Sequence, residues 1–272
     1  MTINCKGNLI DLLVPKVMGI LNITPDSFFD GGNYTNYAAI LNQVEKMLLE
    51  GATFIDIGAY SSKPGAEFVS EEEELARLLP VIELILAKFP ETLISVDTFR
   101  SEVAKQAIAK GAALINDISA GLLDDKMLET VAQLQVPYIM MHMKGNPQTM
   151  QSLANYEDVV KEVLFYFSER INAARSFGLN DIIVDPGFGF AKTLEHNYEI
   201  MQKLAYFSIL ELPILVGVSR KSMVYKLLES TPQEALNGTT VLNTVALQKG
   251  AAILRVHDVK EAVECIKIYQ NL

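Results

Sequence analysis

The sequence predicts a single α/β domain folded as a TIM (β/α)8 barrel, and three observations carry that expectation. Short apolar runs rich in β-branched residues alternate with longer helical patterns from one end to the other. About eight such runs fall within 272 residues, a usual length for one barrel. No Pro/Gly/Ser-rich linker or low-complexity break interrupts the rhythm, so residues 1–272 are expected to form one domain.

Along the chain, strand Val17–Leu21 is followed by helix Ala38–Glu50, which Gly51 ends; strand Phe54–Ile57 leads to helix Glu71–Phe89. Ser70 with Glu73 three residues on has the capping-box pattern at the start of that helix. Strand Leu93–Val96 precedes helix Ser101–Lys110, and strand Leu114–Ile115 precedes helix Lys126–Gln133. Strand Tyr138–Met141 then leads to helix Tyr156–Phe177, and strand Ile182–Val184 to helix Leu194–Leu210. Strand Ile214–Val216 with helix Pro232–Lys249, and strand Ile253–Val256 with helix Val259–Gln270, complete the set. Gly51, Gly111, Gly178 and Gly250 each follow a helix, where a left-handed residue is favoured. The strands are apolar on both faces, as a parallel sheet buried on both sides requires.

Composition excludes several classes. Half of the residues are hydrophobic and 21% are charged, which rules out a disordered or fibrous chain. With 23 Lys and Arg against 33 Asp and Glu, the net charge is −10 and no basic stripe exists. Nucleic acid and a polybasic membrane contact are therefore not expected as partners, and a small molecule or a protein is. Two cysteines, Cys5 and Cys265, form no C-x-x-C pair and fit a reducing, cytoplasmic setting. No signal peptide or transmembrane run is readable.

The residues at the predicted strand ends are Asn22, Asp56, Asp97, Asn116-Asp117, His142, Asp185, Gly217 with Ser219-Arg220-Lys221 behind it, and Arg255 with His257. Each one alone reads equally well as a cap of the next helix or turn. Their recurrence at seven of eight strand ends points instead to the barrel mouth, where βα loops build active sites. Asp97, Asn116, Asp185 and Lys221 together offer acceptors and a donor for a planar heterocycle carrying several N–H groups. Asn22, Arg255 and His257 can take an anionic arm, and the carbonyl oxygen of Asn22 with phosphate oxygens would suit Mg²⁺. His196 reads as a surface residue, and His142 either as a pocket wall or as a satisfied interior histidine. Gly187-Phe188-Gly189-Phe190 lacks the third glycine of a dinucleotide motif, and Gly217–Ser222 lacks the leading glycine of a phosphate-binding loop.

The runs from Met18 to Gly32 (MGILNITPDSFFDGG), Ser95-Val-Asp-Thr98, Ile115-Asn-Asp117, Met141–Pro147 (MHMKGNP), Asp185–Phe190 (DPGFGF), Gly217–Ser222 (GVSRKS) and Arg255–Val259 (RVHDV) resemble the dihydropteroate synthase family, in order and over nearly the whole chain. The resemblance implies a pterin-binding barrel that condenses 6-hydroxymethyl-7,8-dihydropterin diphosphate with 4-aminobenzoate. The products would be 7,8-dihydropteroate and pyrophosphate, in folate biosynthesis. It assigns Asp97, Asn116, Asp185 and Lys221 to the pterin, and Asn22, Ser62, Lys63, Arg255 and His257 to the diphosphate, with Asn22 on Mg²⁺. Phe28, Ser62, Lys63, Phe190 and Ser222 fall to the aminobenzoate site, and Asp30 to closure of the first loop, Thr24–Gly32. Asp97, Asn116, Lys221 and Arg255 would carry catalysis by a dissociative route, with the second loop, Ala59–Ala66, closing as well. A homodimer and a sulfonamide target are also implied.

One departure stands out. The second loop reads Gly58-Ala-Tyr-Ser-Ser-Lys-Pro-Gly65, where the commoner family form is G-G-E-S-T-R-P-G. Lys63 keeps the charge of an arginine and loses its planar fork, which is expected to weaken contacts from this loop. Lys63, Lys221, Arg255 and His257 are expected to give the mouth a local positive field within an acidic protein. Two rival readings share the heterocycle logic. A pterin-dependent methyltransferase barrel would need neither Arg255-Val-His257 nor the first loop, and a corrinoid-partner domain is not expected here. A non-catalytic pterin-binding paralogue would leave the joint presence of Asn22, Asp97, Asn116, Asp185, Lys221 and Arg255 unexplained.

Overall fold

A computed structural model describes residues 1–23, 34–60 and 69–272 of the protein. The expected site residues Phe28, Asp30, Ser62 and Lys63 lie outside the described residues. A hairpin comes first, β1 (Thr2–Cys5) pairing antiparallel with β2 (Asn8–Asp11). The barrel strands are β3 (Lys16–Asn22), β4 (Phe54–Gly58), β5 (Leu93–Asp97), β6 (Leu114–Asp117), β7 (Tyr138–Met141), β8 (Ile182–Asp185), β9 (Ile214–Val216) and β10 (Ala251–Val256). They close in the order β10-β3-β4-β5-β6-β7-β8-β9, with every neighbouring pair parallel. All the predicted strands are present. Most extend further than expected at the C-terminal end, so Asn22, Asp97, Asn116, Asp117 and Asp185 lie within strands and not beyond them.

The helices are α1 (Tyr34–Glu50), α2 (Glu71–Lys88), α3 (Ser101–Ala109), α4 (Met127–Leu134), α5 (Val159–Ser176), α6 (Leu194–Gln202), α7 (Ser222–Tyr225), α8 (Leu236–Gln248) and α9 (Val259–Tyr269). Gly51, Gly111, Gly178 and Gly250 all take positive φ at helix ends, as expected. Ser70 caps α2 by accepting from the Glu73 amide, but the Glu73 carboxylate turns to Arg77 one turn on, so the box is only half made. Asp158 caps α5 through the Lys161 amide at 3.0 Å, which starts that helix later than Tyr156. The expected helix Leu194–Leu210 breaks after Gln202 into a 3-10 segment, Leu204–Leu210. There the tighter three-residue turn puts Leu204 and Phe207 on one buried face. Pro232–Glu234 is likewise a 3-10 turn, closed by Thr231 and Glu234, ahead of α8.

Alternation along the strands sorts two cores. Val17, Leu21, Ile55, Ile57, Val96 and Ile115 pack outward against the helices. Met18, Phe54, Leu114, Ile139, Ile183, Leu215 and Ile253 fill the barrel interior, toward the N-terminal ends of the strands. Ile3, Cys5 and Leu12 join this inner cluster, so the hairpin closes the floor of the barrel. The Asn4 amide ties it down by donating to Asp181 Oδ2 at 2.7 Å. The hairpin turns at Lys6-Gly7, both at positive φ, with the Gly7 amide donating to Asn4 Oδ1 at 2.9 Å. With the floor filled by apolar side chains, the polar interior positions are confined to the opposite end.

Candidate active site

Strand register builds the mouth. Asn22 lies opposite Gly58, Gly58 opposite Asp97, and Asp97 opposite Asn116, so one row of the barrel rim carries three of the expected polar residues. Asp56 sits one layer deeper, opposite Ile20 and Ser95. The period of two also separates Asn116 from its neighbour. Asn116 faces inward and donates to Asp56 Oδ2 at 3.2 Å. Asp117 turns to the helix side, where it accepts from the Ser119 and Gly121 amides and from Tyr138 Oη. It is a turn-holding residue and not part of the mouth.

Arg255 reaches across from β10 and bridges two carboxylates: Nε donates to Asp56 Oδ2 at 2.6 Å and Nη2 to Asp97 Oδ2 at 2.9 Å. Tyr60, just beyond β4, donates from its hydroxyl to the other oxygen, Asp97 Oδ1, at 3.0 Å. Burial pushes the Asp97 carboxyl above the ordinary range, against the opposing pull of the Arg255 guanidinium. Burial works against the Arg255 cation too, yet Asp56 and Asp97 outweigh it and hold the guanidinium charged. The expected positive field therefore does not come from Arg255, whose charge is matched by two carboxylates.

The opposite wall comes from the segments after β8 and β9. Asp185 Oδ1 accepts from the Gly187 amide at 2.7 Å. Gly187 has φ +71°, and a Cβ there would stand 2.1 Å from the His142 carbonyl oxygen, so only glycine fits this crossing. Lys221 donates from Nζ to the Phe188 carbonyl at 2.5 Å and stands 4.9 Å from the centre of the Phe190 ring. Burial lowers the Lys221 pKa to about 8, with Asp185 opposing, and burial raises Asp185. Ser222, half-buried, opens α7 directly after Lys221. His257 is exposed at the head of the last loop; its amide donates to Ser219 Oγ at 3.1 Å, and that hydroxyl lies 3.1 Å from Nδ1.

Three residues with a part in this geometry had no role assigned from sequence. Asp56 was visible as a strand-end carboxylate, and its parity with Gly58 marks it as inward. Tyr60 carried its own signal, the departure from the commoner loop. Lys192 did not. Its ammonium is buried and holds His142 Nδ1, the Gly187 carbonyl and the Phe190 carbonyl, each at 2.9 Å. It thereby knots the ends of β7 and β8 behind the Asp185 loop. Burial, with the Lys192 charge adding to it, pushes the His142 pKa well below its ordinary value, and the enclosed ring, 2.9 Å from Lys192 Nζ, fits the satisfied interior histidine of its two readings. His196, half-buried, caps α6 with Thr193.

The rim lines up carboxylates, an amide and an ammonium beside aromatic side chains, a donor and acceptor set that can hold a planar heterocycle. The sequence profile of the family described as "Pterin binding enzyme" matches residues 18–257. The dihydropteroate synthase of Escherichia coli (strain K12) is 45% identical over 272 residues, covering 99% of this chain and 96% of that one. A crystal structure of the Yersinia pestis dihydropteroate synthase with a sulfonamide drug complex superposes with a TM-score of 0.93 at 43% identity, covering 100% of this chain and 98% of that one. The Xanthomonas albilineans dihydropteroate synthase with 4-aminobenzoic acid gives a TM-score of 0.92 at 40% identity, over 99% and 97%. The chain belongs to the dihydropteroate synthases within the pterin-binding enzymes, and so is a transferase. Among the described residues no helix is long and apolar enough to cross a membrane.

Proposed function

We propose that residues 1–272 act as one unit that joins 6-hydroxymethyl-7,8-dihydropterin diphosphate to 4-aminobenzoate, forming 7,8-dihydropteroate and releasing pyrophosphate for folate synthesis. The single observation that carries this reading is the rim row Asn22–Gly58–Asp97–Asn116 faced by Asp185 and Lys221. Asp97 and Asp185 accept from the pterin N–H groups, Asn116 adds its amide, and Lys221 donates to a ring acceptor.

The bond from the pterin methylene to the diphosphate oxygen breaks with its electron pair leaving on pyrophosphate. The positive charge left on the methylene is stabilised by the Asp97 carboxylate and the Asn116 carbonyl oxygen. The amine lone pair of aminobenzoate then forms the new C–N bond, and the proton lost from that nitrogen is taken up by the released pyrophosphate or by solvent. Arg255 and His257 bind the leaving group together with Ser62 and Lys63. Phe28, Phe190 and Ser222 bound the aminobenzoate, with Ser62 and Lys63 contributing here as well, and Asp30 serves closure of the first loop.

Asn22 supplies one amide oxygen at the end of β3, and among the described residues no group of three or more His, Cys, Asp or Glu gathers to hold a metal ion. That donor set fits Mg²⁺, a cation that takes few protein oxygens and completes its shell with phosphate oxygens and water. Bound at Asn22, it would neutralise charge on the departing pyrophosphate.

A homodimer is supported by the exposed apolar side chains Leu227, Leu228, Val241 and Ile268 on or beside the adjoining helices α7, α8 and α9. A cytoplasmic setting is supported by two free, buried cysteines. Sulfonamides, bound by the Yersinia pestis relative, would compete for the aminobenzoate site. The test is pyrophosphate release from purified protein supplied with both substrates and Mg²⁺. Turnover supports the synthase; silence alongside pterin binding would favour the non-catalytic reading.

A further inference from the structure

We propose that Tyr60 is a positioning residue for the pterin site, fixing the Asp97 carboxylate through its hydroxyl. The inference rests on the reading that Asp97 receives the pterin ring. Tyr60 leaves β4 two residues after Gly58, the glycine that faces Asp97 across the ladder. Its ring stands edge-on to Phe99, with centroids 5.2 Å apart and planes at 85°, and both pack on the apolar cluster of Ile118, Met141, Met143 and Met150. An aromatic ring clamped on such a wall delivers its hydroxyl to one place, with few rotamers to lose.

A carboxylate with one partner swings about its terminal torsion, because that torsion is broad. Among the described residues, Asp97 has two partners from different strands' ends: Tyr60 holds Oδ1 at 3.0 Å and Arg255 holds Oδ2 at 2.9 Å. The plane of the carboxylate is thereby set before ligand arrives. Each oxygen keeps a further lone-pair position for an N–H of the bound heterocycle. Arg255 alone does not secure this orientation, since its guanidinium also serves Asp56. The commoner loop form carries glutamate at this position, which when ionised has no proton to give to Asp97. This chain thus adds a donor at the pterin-facing carboxylate.

The test uses Tyr60→Phe, which removes one oxygen and keeps the ring on Phe99, and Tyr60→Glu, which installs the residue of the commoner loop. Binding of 6-hydroxymethylpterin is followed by calorimetry. Both variants are expected to weaken it by about tenfold, the loss of one hydrogen bond to a charged acceptor. The thermal midpoint of Tyr60→Phe and the KM for aminobenzoate at saturating pterin diphosphate should stay at the parent's values. Parent-like pterin affinity in both variants would overturn the proposal, as would an equal loss of pterin and aminobenzoate affinity. Asp97→Asn is titrated beside them. A loss there, with none in the Tyr60 variants, removes Tyr60's role alone; no loss in Asp97→Asn removes the reading of Asp97 beneath it.

Discussion

Burial and Asp185 pull the Lys221 ammonium in opposite directions, and burial prevails, leaving a pKa of about 8. If Lys221 donates to the pterin, its charged form is the working one, so kcat/KM for the pterin diphosphate should fall as pH rises through that value. A pH profile checks this, and Lys221→Arg supplies the control: its guanidinium stays charged, so the alkaline fall should vanish even though the absolute rate is low. An unchanged alkaline limb in the variant would assign that fall to another group. Much at this scale was legible in the sequence, because strand alternation is local. Asn116 and Asp117 are neighbours of similar polarity, and parity alone sends one to the mouth and the other to a turn. The bridge from Arg255 to Asp56 and Asp97 was not legible, since it joins residues brought together only when the barrel closes.

Among the elements, the strands and most helices were readable from apolar periodicity and glycine stops. The hairpin is not legible in the sequence because Lys6-Gly7 is a weak turn signal: lysine seldom takes positive φ, and the flanking runs are only four residues each. The expected helix Leu194–Leu210 is longer than α6 because the 3-10 segment Leu204–Leu210 keeps an amphipathic look at a period that helical counting does not separate from 3.6. The hairpin nevertheless bears on stability. Ile3 is fully enclosed in the barrel floor, and Ile3→Ala should cost about 2–5 kcal/mol in urea unfolding. The site lies at the far end of the strands, so the KM for either substrate should stay unchanged. A shifted KM would mean that the floor communicates with the rim.

Across the whole molecule, a net charge of −10 surrounds a mouth in which Arg255 faces Asp56 and Asp97, and Lys221 faces Asp185. The described rim is therefore close to charge balance, and it suits a neutral heterocycle better than a free diphosphate. On the proposed reading, a divalent cation accompanying the substrate would resolve that mismatch. Binding of 6-hydroxymethylpterin should be indifferent to chelation of Mg²⁺, while its diphosphate should bind at least about tenfold more weakly without the cation. Calorimetry of the two ligands, with and without chelator, reads the difference directly; equal chelator effects on both would count against it.

The barrel seam has a consequence for synthesis. Strand β3, at Lys16–Gly19, pairs with β10 at Ile253–Val256, so one ladder joins the early chain to the late. During translation β3 has β4 on one side and a bare row of amides and carbonyls on the other until residues 251–256 leave the ribosome. At about 5–20 residues per second that edge stays open for many seconds. An open edge is where strands of different molecules pair, so the β3 edge of a nascent chain stays exposed to such pairing until its last strand emerges.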